Sequence, residues 1–129
     1  MAMTAEQARG RIEVRRIYEV LGAHRSYRVL VDRLWPRGVK KDDAALDEWA
    51  KDVAPSDGLR RWYGHDVDRF PEFSRRYRLE LRQATAGRAL RQLVELARRR
   101  RVQLVTATRD LDHSGARVLA QSLSRRVRR

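Results

Sequence analysis

Apolar residues alternate at both ends of the sequence and step by three and four between them. Residues 11–18, RIEVRRIY, alternate, with Ile12, Val14 and Ile17 on the core side, and predict a first strand. Residues 19–26 contain Gly22 and Ser26 and read as a connection. Residues 27–31, YRVLV, are β-branched and aliphatic and predict a second strand. Leu46, Trp49, Ala50 and Val53 then fall on one helical stripe, so a helix is expected from Asp42 or Asp43 until Pro55 ends it. Ser56 is the expected N-cap of a short helix over 57–63, closed by Gly64. Phe70, Phe73, Tyr77, Leu81 and Ala84 line one face of a longer helix over 69–84, with Pro71 in its first turn. A break is expected at Thr85-Ala86-Gly87. Leu90, Leu93, Val94 and Ala97 mark a helix over 88–99, and VQLVTA over 102–107 is a short apolar strand. Ala116, Leu119, Ala120 and Leu123 mark a last helix over 114–125.

This order predicts a small α/β fold of two or three layers. Its short, mainly parallel central sheet is flanked by helices in a Rossmann-like manner. The expected organisation is an N-terminal arm over 1–10, one domain over 11–125 and a basic tail over 126–129. A crossover between strands 27–31 and 102–107 makes them parallel neighbours. Both then deliver their carboxyl ends, residues 32–38 and 108–113, to one sheet edge, where open α/β sheets bind ligands.

Composition narrows the possibilities. The chain of 129 residues contains no cysteine, so disulfides and thiolate metal sites are excluded. No apolar run reaches membrane-spanning length, and residues 1–11 lack the apolar core of a signal peptide. A soluble cytoplasmic protein without membrane partners is the expectation. The formal net charge is +13, which favours acidic partners: nucleic acid, phosphorylated metabolites or an anionic surface. Only Lys40, Lys41 and Lys51 are lysines and every other basic residue is arginine, a bias that a GC-rich genome also produces.

The stretches LVDRLWPRGVKK, LDEWAKDVAPSDGLRRWYGHD, FPEFSRRYRLEL and LVTATRDLDHSGARVL together resemble the YeaO-like family, a family of unknown function (DUF488). The resemblance runs from about Ile12 to the last helix, and DRLWPRG is its most unusual motif. It implies a compact bacterial α/β domain with a short central sheet, and no particular reaction. The family's signature positions map onto Asp32, Arg33, Trp35, Pro36, Arg37 and Gly38. They continue with Trp49, Lys51, Pro55 and Ser56, with Leu59, Arg60 and His65, and with Arg109, Asp110 and His113. After the His113 position the family carries one or two asparagines; this chain has Ser114 and Gly115.

Three clusters carry candidate chemistry. Arg33 and Arg37 form an anion clamp, with Asp32 aiming one of them or acting as a base. Alternatively Asp32 pairs with an arginine in a structural corner that Trp35 lids; as a ligand contact, Trp35 lines the same site. Arg60 and His65 offer a cation and an acid–base group, or a helix cap. Arg109, Asp110 and His113 precede a helix N-terminus, a natural anion seat. Asp110 and His113 make a catalytic pair if both reach the corner of Asp32; otherwise Asp110 or Asp112 caps the helix. His24, His65 and His113 lack metal-ligand spacing, and GxGxxG, Walker and GxSxG motifs are absent, so neither metal nor cofactor is expected. The pattern favours a small anionic ligand, nucleotide-like or phosphorylated, bound or acted on at a strand-end pocket. The alternatives are a nucleic-acid-binding module using the basic surface, and an interaction domain without chemistry.

Overall fold

A computed structural model describes Thr4, residues 11–19 and residues 25–129. Apart from Thr4, the expected arm over 1–10 lies outside the described residues, as do Gly22 and His24. Four parallel strands form one sheet: β1 (Ile12–Arg16), β2 (Tyr27–Leu30), β3 (Glu48–Trp49) and β4 (Val102–Thr106), in the order β1-β4-β2-β3. Four α-helices accompany it: α1 (Asp57–Tyr63), α2 (Phe70–Glu80), α3 (Ala84–Arg99) and α4 (Gly115–Val127). The expected α/β class and parallel sheet are what the chain adopts. β4 is central, registered Ile12↔Val102 to Arg16↔Thr106 on one side and Tyr27↔Val102 to Leu30↔Val105 on the other.

The two faces of the sheet are covered differently. Val14, Val29, Val31 and Leu104 pack with the helices, whose core residues include Tyr77, Leu90 and Leu119. Ile17, Leu30 and Val105 point to the opposite face, where Trp35, Val39, Leu46 and Trp49 cover them. Alternation along each strand sends adjacent residues to opposite faces, which is why Val29 and Leu30 belong to different clusters. Among the described residues the fold is thus a helical layer on a sheet, with a small aromatic cap behind.

That cap explains the main departure from the sequence pattern. Leu46, Trp49, Ala50 and Val53 do not share a helix. Residues 47–50 run beside β2 instead, where Asp47 N–H donates to the Arg28 carbonyl at 2.9 Å and Ala50 N–H to that of Leu30 at 2.9 Å. The Asp47 carboxylate also accepts from Arg28 N–H at 2.8 Å. The open edge of β2 leaves backbone groups that must be paired, and this demand outweighs a weak helical stripe. The stripe is consequently split, with Leu46 and Trp49 behind the sheet and Ala50 and Val53 in the helical core.

Smaller differences have local causes. The break expected at 85–87 falls earlier: α3 starts at Ala84, and Gly87 N–H donates to the Gln83 carbonyl at 2.7 Å. The last helix continues to Val127, which is buried, so the expected tail over 126–129 begins inside α4. Ser56 caps α1 as expected, accepting from Leu59 N–H at 3.2 Å. Glu80 at the end of α2 joins this cap: its carboxylate accepts from Ser56 N–H at 2.8 Å and from Ser56 Oγ at 2.6 Å.

Tyr77 is buried in α2, and its hydroxyl donates to the Val53 carbonyl at 2.5 Å. Tyr77→Phe leaves that buried carbonyl without its donor and is expected to cost about 1–3 kcal/mol. Urea denaturation should show a lower midpoint at unchanged slope.

Candidate ligand-binding site

β2 and β4 end side by side. Val31 extends their ladder, donating its N–H to the Val105 carbonyl at 3.0 Å. Asp32 comes next and places its carboxylate across the gap. Oδ1 accepts from Thr106 Oγ1 at 2.6 Å and Oδ2 from Ala107 N–H at 2.8 Å. Thr106 Oγ1 accepts in turn from Thr108 N–H at 3.2 Å, so the hydroxyl is oriented from both sides. The backbone carbonyl of Asp32 accepts from Trp49 Nε1 at 2.7 Å. Burial pushes the Asp32 carboxyl above its ordinary pKa; the Ala107 amide, the Thr106 hydroxyl and the nearby His65 oppose that shift without cancelling it.

Beyond this clasp lies a cavity of about 380 Å³. Asp32 and Thr106 form part of its wall, Val31, Phe73 and Ala116 give it apolar surface, and Trp35 and Pro36 close one side. Arg60, Arg61, His65 and His113 supply its cationic and titratable groups. The first turn of α4 also lines it, through Gly115 and Ala116. N–H groups of a first helical turn have no intrahelical acceptor and carry the positive end of the helix dipole.

Local folding aims these groups. Gly64 ends α1 at φ 54°, and His65 follows at φ 59°, a left-handed value uncommon outside glycine. These two residues turn the chain so that His65 lines the cavity. Tyr63 Oη donates to the His113 carbonyl at 2.6 Å and fixes the loop before α4. Ser114 caps α4, accepting from Arg117 N–H at 3.1 Å while donating to the Leu111 carbonyl at 2.7 Å. A Cβ at Gly115 would meet Pro55 Cγ at 3.2 Å, so glycine lets α4 start close against Pro55.

The nine residues expected from the sequence divide accordingly. Asp32, Arg33, Trp35, Arg60, His65 and His113 come together around the cavity. Arg37, Arg109 and Asp110 are exposed and lie outside its lining. The expected clamp of Arg33 and Arg37 is therefore not built. Arg33 Nε donates to the Pro55 carbonyl at 2.9 Å and Nη2 to that of Ala54 at 3.1 Å. Nor does Asp32 pair with either arginine, since its partners are Thr106 and Ala107. Trp35 donates from Nε1 to the Val39 carbonyl at 2.7 Å and stands edge-on to Trp49 at 5.4 Å. Asp110 and His113 do pair, Oδ2 to Nδ1 at 2.7 Å, with Phe70 edge-on to the imidazole at 5.2 Å. His113 alone of the two reaches the cavity. Arg60 has one exposed partner, Asp57, at 3.5 Å.

Sequence reasoning missed Thr106, Tyr63 and Arg61. The position of Thr106 at the end of an otherwise apolar strand was the available signal, since a hydroxyl there needs a partner. Tyr63 and Arg61 carried no signal beyond their place in a short helix. The hydroxyl of Ser114 does not stand in for a ligand-orienting asparagine amide, because both its bonds go to backbone groups.

A parallel sheet with helices packed on one face and a hollow at its carboxyl edge defines an α/β domain with a strand-end pocket. Residues 11–129 match the family described as the inactive DUF488-N3 subclade, and the chain belongs to that family. It is 48% identical over 116 residues to the uncharacterized protein Rv3073c of Mycobacterium tuberculosis, covering 90% of this chain and 96% of that one. An uncharacterized protein of Mycobacterium bovis, Mb3100c, matches to the same extent. The uncharacterized protein YeaO of Escherichia coli is 37% identical over 112 residues, covering 87% of this chain and 96% of YeaO. No solved structure matches.

The clasp makes a pH-dependent prediction. Unfolded, Asp32 titrates near about 3.9; folded, it keeps its proton to higher pH. The folded state then binds more protons between the two values, so this contribution to stability is full below the unfolded pKa and falls as pH rises through the window. Measured against Asp32→Asn by urea denaturation, the wild type should gain stability as pH is lowered from about 7 toward about 4. Carbon-13 NMR should show the Asp32 carboxyl titrating above about 3.9, and higher still in Thr106→Val, which loses one donor. An unchanged midpoint in Thr106→Val would contradict the clasp.

Proposed function

We propose that the strand-end cavity binds a small organic anion, phosphorylated or carboxylated, and does so as a binding site rather than a reaction centre. The observation that carries this reading is the division of the cavity into a cationic side and an apolar wall around a single bonded carboxylate. Arg60 and Arg61 present exposed guanidinium groups on one side, and Arg61 has no ion pair among the described residues. The start of α4 adds backbone donors. Val31, Phe73 and Ala116 suit the body of an organic molecule, and about 380 Å³ suits a compact one. Asp32 accepts a donor from the ligand, away from its anionic end.

The committed hydroxyls support binding over catalysis. Thr106 Oγ1 donates to Asp32 and Ser114 Oγ to the Leu111 carbonyl, so neither proton faces a general base. Arg33 is held by two carbonyls and does not reach for charge developing elsewhere. The word "inactive" in the family's description agrees with this reading.

Isothermal titration with inorganic phosphate, adenosine monophosphate and citrate tests it. At least one organic anion should bind more tightly than phosphate. Combining Arg60→Ala with Arg61→Ala should weaken that ligand about 10–100-fold, the loss of one charge-assisted contact of about 1.5–3 kcal/mol. Arg37→Ala, outside the cavity, should leave affinity unchanged. If no probe binds, or if the double variant binds as well as the wild type, the reading fails.

A further inference from the structure

A second concave surface lies on the outer side of α4, where α4 meets α2 and the start of β1. Its volume is about 530 Å³, and it shares no lining residue with the strand-end cavity. Arg78 of α2 and Arg117, Arg125 and Arg128 line it, with Gln121 and Ser124 between them and no carboxylate among the described lining residues. On α4 these polar positions fall at steps of four, three, one and three residues, which keeps them on one face.

The cations there are poorly neutralised. Arg78 Nη2 donates to Gln121 Oε1 at 3.4 Å, a neutral partner. Arg117 meets one acid, Asp112, at 3.7 Å; that carboxylate is 86% exposed and is not part of the groove. The Nε atoms of Arg78 and Arg117 are withdrawn from solvent and have no hydrogen-bond partner. A buried donor without an acceptor is costly, and an incoming oxyanion would relieve it. The positive field continues past the groove. Burial lowers the pKa of Arg126, and Arg129, Arg82, Arg125 and Arg91 lower it further.

We infer that this groove binds the phosphodiester backbone of nucleic acid without reading its sequence. Arg117 and Arg128 are eleven positions apart on or just past one helix, about 16 Å of axis. That length fits a run of phosphates better than one. Double-stranded DNA presents a charge about every 1.7 Å of its axis, so several phosphates fall within reach. No aromatic ring lines the groove, so base stacking has no platform, and the arginines supply only backbone contacts.

Fluorescence anisotropy of the full chain with a labelled random-sequence DNA duplex, between about 50 and about 200 mM salt, tests the inference. Log affinity should fall linearly with log salt, and two unrelated duplexes should bind alike. Combining Arg125→Gln with Arg128→Gln should make the slope shallower by about 2, roughly 0.9 for each phosphate contact removed. The charge-matched pair Arg37→Gln with Lys40→Gln, at the strand-end corner, should change the slope far less. Equal loss from both pairs would reduce the binding to diffuse attraction by net charge and overturn the groove assignment. Absence of binding at about 50 mM salt would overturn it too. So would titration with inorganic phosphate that saturates the groove as tightly as the duplex does, because the occupant would then be a small anion.

Discussion

The carboxylate of Asp32 closes the one long-range joint on which the rest of the molecule depends. β2 and β4 are neighbours in space but are separated by most of the chain, including α1, α2 and α3. Parallel pairing of that kind is held only by the ladder and by whatever fixes its ends. Where the ladder stops, Thr106 Oγ1 and Ala107 N–H would be left as donors near the core. A buried backbone N–H without an acceptor costs as much as a lost hydrogen bond. One aspartate satisfies both, and the strand tips separate above it to leave the cavity. Burying the carboxylate has its own cost, visible as the raised pKa, and two short donors offset much of it. An amide of the same shape would offer only one acceptor oxygen to two donors.

The corner after Asp32 follows from the unequal faces of the sheet. Helices cover one face and no helix covers the other. Leu30 and Val105 on that second face would be exposed to water if the chain ran straight on. It turns instead at Pro36 and Gly38, where φ is 75°, and folds Trp35 and Val39 back over them. Trp35 and Trp49 then each bury a large ring while placing the indole N–H on a carbonyl, Val39 for one and Asp32 for the other. Lys41 and Lys51 lie over these rings at 5.8 and 4.7 Å and keep the outer surface wet. Arg33 meanwhile ties the corner to the segment before α1. Most of DRLWPRG is therefore construction, and the cavity beside it is a consequence.

This is why the motif located the site in the sequence but misassigned its chemistry. The strands over 27–31 and 102–107 were legible because apolar β-branched runs have few other uses, and their convergence followed from parallel topology. The capped helix α1 was legible from Ser56 and Gly64, whose side-chain and backbone requirements are local. β3 was not, because its existence depends on the unpaired edge of β2, which no local pattern in 46–53 reports. The partners of Asp32 were likewise invisible: arginines adjacent in sequence drew attention, whereas Thr106 lies more than seventy positions away. Arg33 and Arg37 resemble a clamp in one dimension. In three, the turn at Pro36 and Gly38 sends them to different places.

The same distinction between count and placement governs the charge. A net +13 says little about binding while arginines are matched locally, and many are. Arg60, Arg69, Arg75 and Arg98 each have an acid three residues back on their own helix or turn. Such exposed pairs contribute little to stability, about 0–1 kcal/mol each. Their larger effect is on the field, since each cancels a charge that would otherwise reach solvent at long range. Arg69 and Arg76 are further absorbed by the ring of Trp62, at 5.2 and 4.3 Å. The outer face of α4 lacks this matching. Its sequence from Gly115 to Val127 contains no acid, so the cations of the helix have none beside them on their own element. The excess positive charge is thereby concentrated where α4 faces α2, by the absence of acids there more than by an abundance of arginines.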